Sequence, residues 1–240
     1  MRNIIRITLE IAEKRDIDSA FYLQKTLIDK VVLEGRPSLD TILGFDAAYI
    51  EGREGEKIIS GLVVLNRAED TFSLTHKFYS IDKISFPYIP GLFSFREGVG
   101  FIKVWEKVPR DIKNTIDLIL VDGHGIYHPR GLGLASHIGL ITDKPTIGCA
   151  KQGFGGDYEI PGMDKGDWEW IMLNGKKVGI VLRTKRGVKP IWVSPGHLIS
   201  LDHLYNALFP LVGKYRIPYP LREVHIFVQK IKKEMKLKDI

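Results

Sequence analysis

With 240 residues, 44% of them hydrophobic and 27% charged, the chain is long enough to bury a full core and has the make-up of an ordinary globular protein. No apolar run reaches the roughly 20 residues of a membrane span, the opening MRNIIRITLEIAEKRD lacks the apolar stretch of a signal peptide, and a single cysteine, Cys149, excludes intramolecular disulfides and cysteine-rich zinc sites, so a cytoplasmic protein is expected. The net charge of +6 favours a polyanionic partner through counterion release, although much of it sits in the tail KIKKEMKLK, where a solvated helix end explains it equally well.

In chain order, an amphipathic helix is predicted over residues 19–34, with Leu23, Leu27, Ile28 and Val31 on one face and Gly35-Arg36-Pro37 as its stop. Three strand-like runs follow, TILGFDAAYI, EKIISGLVVLN and FSLTHKFYSI, the first two joined by a turn at residues 51–55. The pattern then changes to a helix at GVGFIKVWEKVP, a buried strand at TIDLILVD, a glycine-rich loop, a helix at GLASHIGLIT and a short strand at PTIGCA. A hairpin with an Asn174-Gly175 turn is predicted at WIMLNGKKVGIVLRT, and two helices close the chain at LISLDHLYNALFPLV and LREVHIFVQKIKKEM. With no repeat, linker or low-complexity tract, residues 1–240 read as one α/β domain. A three-stranded antiparallel meander followed by parallel strands, flanked by helices, is the order of the ribonuclease H-like mixed sheet. That order sets Asp46 of the first strand beside Asp122 at the end of the fourth.

Three carboxylates stand out. Asp46 interrupts an apolar strand, Asp122 ends another just before Gly-His-Gly, and Glu97 closes the segment PYIPGLFSFREG. A carboxylate in such a place costs on the order of several kcal/mol unless a cation or hydrogen bonds compensate it. In a basic chain, the group suggests a hard-cation site for a phosphate substrate, since Mg²⁺ takes one or two carboxylates and keeps waters for exchange. The plainer alternatives are a bulge at Asp46, a turn cap at Asp122 and a surface pair between Glu97 and Arg96.

The loop before Glu97 carries Tyr88, Ile89, Pro90, Gly91 and Phe93. Two prolines stiffen it, so it can wedge into a base stack or, alternatively, tuck under the sheet. The stretch DGHGIYHPRGLGLASHIG lacks the P-loop pattern, and its glycines argue against a helical zinc pair at His124 and His128. Gly123 and Gly133 there can expose backbone to an extruded base or simply ease a strand-to-helix turn. Lys151 follows a short strand and reads as a phosphate contact or as surface decoration. His197 reads as a helix start. His225 flanks the stripe Leu221, Val224, Val228 and Ile231, as a structural residue or as an acid or base.

These blocks together resemble the endonuclease V family. The carriers are GFDAAY, PYIPGLFSFRE, VDGHGIYHPRGLGLASHIG, IGCAK, PIWVSPGHLISL and RIPYPLREVHIFVQ, in the family's order over most of residues 40–230. The resemblance implies a ribonuclease H-like fold and a DNA repair endonuclease that cuts the second phosphodiester 3′ to deoxyinosine, leaving 3′-hydroxyl and 5′-phosphate ends. It implies Mg²⁺, or Mn²⁺ in its place, on Asp46 and Asp122 with Glu97 completing the cluster, His225 near the scissile phosphate and Lys151 steadying charge. It makes residues 88–93 the wedge, with Gly91, Phe93, Gly123, Gly133 and Gly148 lining a hypoxanthine pocket and His128 among the lesion contacts. The implied partner is deoxyinosine-containing DNA, with no obligate protein partner. Inosine in RNA is the alternative substrate, and a non-catalytic nucleic-acid binder is the alternative class. Two features depart from the family: His124 stands where many members have Gln, and after Lys151, where the family usually continues with a short apolar piece, the chain runs QGFGGDYEIPGMDKGDWEW, an acidic, glycine-rich stretch without an assigned role that either alters access to the site or only lengthens a surface loop.

Overall fold

Alternation of side chains across one strand organises the molecule. In β1 (Thr41–Gly52), Ile42, Ala48 and Ile50 point into one core while Leu43 and Phe45 point into the other, as period-two packing requires. The computed structural model describes residues 2–52, 55–69 and 71–238. In it, β1 pairs antiparallel with β2 (Gly55–Ala68), and β2 with β3 (Thr71–Lys83), giving the expected meander. The predicted turn at residues 51–55 joins Gly52 to its register partner Gly55, and its central Arg53 and Glu54 lie outside the described residues.

After α3 (Glu97–Glu106) and α4 (Arg110–Thr115), β4 (Leu118–Asp122) lies parallel to β1. Then α5 (Leu134–Thr142) leads to β5 (Thr146–Ala150), parallel to β4. The strands β6 (Trp168–Leu173), β7 (Lys176–Leu182) and β8 (Ile191–His197) complete one eight-stranded sheet in the order β3-β2-β1-β4-β5-β8-β7-β6. Asn174 and Gly175 both have positive φ, of 50° and 73°, as the predicted two-residue turn requires. The core on one face is closed by α6 (Leu204–Leu208) and α7 (Tyr219–Lys238), and that on the other by α3 and α5. This is the ribonuclease H-like arrangement. Among the described residues, no helix is long and apolar enough to cross a membrane.

Three expectations need correction, and one further helix was not anticipated. The helix of residues 19–34 is α2 (Ile17–Leu27), begun by the Asp16 side chain on the Ser19 amide; it tightens to a 3₁₀ turn at Ile28–Lys30 and then runs extended. The extended piece is held instead by Leu198 N–H donating to Val32 O and Ser200 N–H to Gly35 O, at 2.7 and 3.1 Å. The opening stretch, read without a secondary structure, forms α1 (Arg2–Lys14), whose Ile4, Ile7, Ile11 and Ala12 face one core cluster at helical spacing. His197 ends strand β8 rather than starting a helix. The helix at residues 198–212 breaks into α6 between two 3₁₀ turns, the second containing Pro210.

Candidate active site

The parallel pairing of β1 with β4 ends at Phe45 and Val121, and the next residue on each strand is an aspartate. Asp46 and Asp122 therefore stand side by side at the carboxyl ends of two central strands, where α/β sheets open a crevice. Asp46 keeps an unbroken register with Gly61 of β2, so it is not a bulge. Its side chain falls on the α7 face of the sheet, among Ile42, Ala48 and Ile50. Two glycines let α7 approach there. A Cβ on Gly44 would come within 2.7 Å of Pro220 O, and one on Gly61 within 2.4 Å of a Val228 methyl. The close approach brings His225 Nδ1 to 2.8 Å from Asp46 Oδ2, while Asp46 Oδ1 accepts from the Ala47 amide.

Glu97 arrives from the opposite face, in the first turn of α3, where Tyr49 donates to its Oε1 at 2.8 Å. Burial pushes Glu97 up to about 7; the Tyr49 hydrogen bond opposes this, and the Asp46 and Asp122 charges add to it. Burial and the Asp46 charge also raise Asp122. Lys151, one residue past β5, donates to Asp122 Oδ2 at 2.6 Å, and this pairing outweighs burial to hold Lys151 above its ordinary value. His225 is raised chiefly by its hydrogen bond to Asp46. Lys151 and His225 thus face three crowded carboxyl groups.

Asp46, Glu97, Asp122, Lys151 and His225 line one cleft of about 280 Å³ together with Gly91, Phe93, Gly123, His128 and Gly133. That volume lies just below the roughly 300–1,000 Å³ usual for ligand sites. Gly133 is required by its surroundings, because a Cβ there would lie 2.3 Å from His124 O. Gly123 is not: its Cβ would make ordinary contact with Leu134 and project into the cleft wall. Gly148 does not line the cleft. It backs the loop from β5, where a Cβ would meet Gly123 O at 2.5 Å. His128 is buried and held neutral near neutral pH, its value lowered to about 4 by burial, the Arg130 charge and His124.

The loop of residues 87–93 divides its side chains. Leu92 is buried with Phe86 and Phe95, so part of the loop is tucked away, whereas Tyr88 is 64% exposed and Pro90 is exposed beside it. Tyr88 meets Phe93 edge-on at 5.6 Å, which joins the exposed tip to the cleft wall. Gly91 has φ +81°, and its carbonyl accepts from both Gln24 Nε2 and Arg130 Nη2, at 2.8 and 2.7 Å. Arg130 Nε also donates to Gln24 Oε1, and Gln24 Nε2 to Leu132 O, so a buried glutamine of α2 clamps two cleft loops. Sequence reasoning missed this clamp and Tyr49. It also left the stretch after Lys151 unassigned, yet Phe154 from it lines the cleft, 4.5 Å from the His124 ring and 5.4 Å from that of His128.

Among the described residues, no group of three or more His, Cys, Asp or Glu side chains is placed to hold a metal ion. The donor set still fits a hard divalent cation. Asp46 and Asp122 supply two carboxylates at neighbouring strand ends, and Mg²⁺ is commonly held by one or two with waters in its remaining positions.

The family model for endonuclease V matches residues 25–226. Endonuclease V of Thermosipho melanesiensis is 38% identical over 218 residues, covering 90% of this chain and 92% of that one. The crystal structure of endonuclease V from Streptomyces avermitilis superposes with a TM-score of 0.81 at 36% identity, covering 92% of this chain and 94% of its own. The Ciona intestinalis endonuclease V, crystallised with a 23mer DNA containing an inosine followed by a ribo-adenosine, has the same fold, with a TM-score of 0.77 at 24% identity over 91% of this chain and 98% of its own. A match that spans the acidic cleft, the loop of residues 87–93 and most of the length of its relatives leaves one conclusion: the chain belongs to the endonuclease V family and is a nuclease.

Proposed function

We propose that the protein is a DNA repair endonuclease that recognises deoxyinosine and hydrolyses the second phosphodiester 3′ to it. The observation that carries this reading is the meeting, in one cleft, of adjacent Asp46 and Asp122 carboxylates with a glycine-walled recess beside an exposed, stiffened aromatic tip. The inosine-containing DNA held by the Ciona intestinalis relative supports the choice of substrate.

In this reading Tyr88, backed by Ile89 and Pro90, parts the strand, and the lesion base turns out of its stack at a cost of about a few kcal/mol. Gly91, Phe93, Gly123 and Gly133 present backbone and ring surface to the extruded base, and Gly148 holds the Gly123 backbone in place from behind. His124 Nδ1 is buried and has no hydrogen-bond partner among the described residues, a deficit that a polar base edge can meet. Asp46 and Asp122 would hold Mg²⁺ or Mn²⁺, which supplies Lewis-acid polarisation of a phosphate oxygen. Glu97, fixed through Oε1 by Tyr49, accepts the proton of the attacking water. His225, oriented through Nδ1 by Asp46, delivers a proton from Nε2 to the departing oxygen, and Lys151 offsets charge on the phosphate. The water oxygen remains on phosphorus and the bond from phosphorus to the 3′ oxygen breaks, leaving 3′-hydroxyl and 5′-phosphate ends.

Turnover on matched oligonucleotides tests this: deoxyinosine in DNA, inosine in RNA and the unmodified sequence, each with Mg²⁺ and with EDTA. Mg²⁺-dependent cutting of the deoxyinosine strand in preference to the others is expected. Preference for the RNA would make the protein an inosine-directed ribonuclease, and binding without turnover would make it a binder.

A further inference from the structure

Beside the wedge loop, α2 forms one wall of a second groove, lined by Phe21, Tyr22, Lys25, Ile28 and Arg130. The buried face of this helix is Ala20, Leu23, Gln24 and Leu27, and Phe21 and Ile28 at the groove's floor pack partly against the same core, so packing leaves Tyr22 and Lys25 unaccounted for. Tyr22 is 73% exposed, the most exposed large apolar side chain among the described residues. Arg130 lies over the Phe21 ring at 4.7 Å and also donates to the carbonyl of Gly91. The groove and the wedge loop therefore share a side chain, and an occupant of the groove lies one residue from Gly91.

Charge chooses the kind of occupant. Both ionised groups lining this groove are cations, Lys25 and Arg130, while the groove on the other side of Tyr22 is mixed, with Glu10 and Asp16 beside Lys14. An exposed aromatic face with two cations and no carboxylate suits a base and the phosphate attached to it, the pairing that single-strand binding surfaces use. A duplex that has been parted leaves such a base unstacked and unpaired on the strand opposite the lesion.

We infer that the α2 groove holds the nucleic-acid strand opposite the lesion, with an unpaired base stacked on Tyr22 and its phosphate beside Lys25. The inference rests on the proposed wedge function of residues 88–93 and extends it, giving the displaced strand a place on the protein.

The test is the double variant Tyr22→Ala, Lys25→Glu in the full chain, compared with wild type on deoxyinosine in a duplex and in a single strand. A 2-aminopurine placed opposite the lesion reports stacking. The expected result is a loss of about tenfold or more in duplex affinity, within the range contributed by one base–aromatic stack. Wild-type quenching of the 2-aminopurine should disappear, and single-strand cleavage should stay at the wild-type rate. Equal losses on both substrates would place the lesion strand itself in the groove and overturn the inference. Unchanged affinity and quenching would overturn it too, and would leave the groove to an acidic protein partner. Wild-type protein that cuts neither substrate would instead refute the function proposed above, whereas a variant that matches an active wild type refutes only the groove.

Discussion

His225 Nδ1 and Asp46 Oδ2 lie 2.8 Å apart, across the junction of the last helix and the first strand. The pair exists because Gly44 and Gly61 let α7 settle onto the sheet, and Asp46 alone in its row of the strand carries a charge. A carboxylate only 7% exposed has no reason to be retained for stability, since an apolar residue would pack there at lower cost.

Asp46→Asn preserves size and removes the charge. Cleavage should fall by about a hundredfold or more, while the circular dichroism melt stays cooperative. His225→Ala should also cut the rate with little effect on folding, because the His225 side chain is 48% exposed.

Tyr88→Ala should weaken binding to a deoxyinosine oligonucleotide by about tenfold, the loss of one aromatic contact to a base. Its side chain is mostly exposed, so unfolding free energy should change by less than about 0.5 kcal/mol. Equal losses in affinity and stability would make the loop a structural element.

Gly148→Ala and Gly123→Ala should behave oppositely. The first drives a Cβ against Gly123 O and should lose about 1–3 kcal/mol in denaturant unfolding. The second meets only ordinary contacts with Leu134 and should keep stability while narrowing the cleft and lowering affinity for the lesion.

Glu97 sits at about 7 in the folded chain, against the 4.5 of an unperturbed glutamate. Between these values the folded state keeps a proton that the unfolded state has released, so this group's stabilising share is lost as pH rises through about 7. The buried histidines His124, His128 and His137, lowered by burial to about 4, act in the reverse sense below neutrality. The difference between wild type and Glu97→Gln isolates the glutamate. In metal-free buffer, the Gln variant should gain on the order of 1–3 kcal/mol relative to wild type between pH 5 and pH 8. A parallel pair of pH–Tm curves would contradict the assignment.

Much of this was legible from the chain, because the signals were local. Period-two runs gave the meander, the Asn174-Gly175 turn gave the β6–β7 hairpin, and element order alone put Asp46 beside Asp122. The rest depends on residues meeting across the fold. Nothing near Gln24 in sequence announces that its amide will join Gly91, Arg130 and Leu132. Tyr49 reads as an ordinary strand aromatic until α3 delivers Glu97 to its hydroxyl. Phe154 lay hidden in a glycine-rich stretch whose path is set by Tyr127, which accepts from the Phe154 amide and donates to Gly155 O. The α2 stop was placed too late because residues 31–35 run extended, held at Val32 and Gly35 by the distant Leu198 and Ser200 amides, which nothing local in the sequence announces.

The most direct test maps the cut at nucleotide resolution on an end-labelled strand carrying one deoxyinosine, in Mg²⁺, with EDTA and Asp46→Asn as controls. The account predicts a single break at the second phosphodiester 3′ to the lesion, with 3′-hydroxyl and 5′-phosphate ends, absent in both controls. Cutting that persists in EDTA or in the variant, or that ignores the position of the lesion, would contradict it.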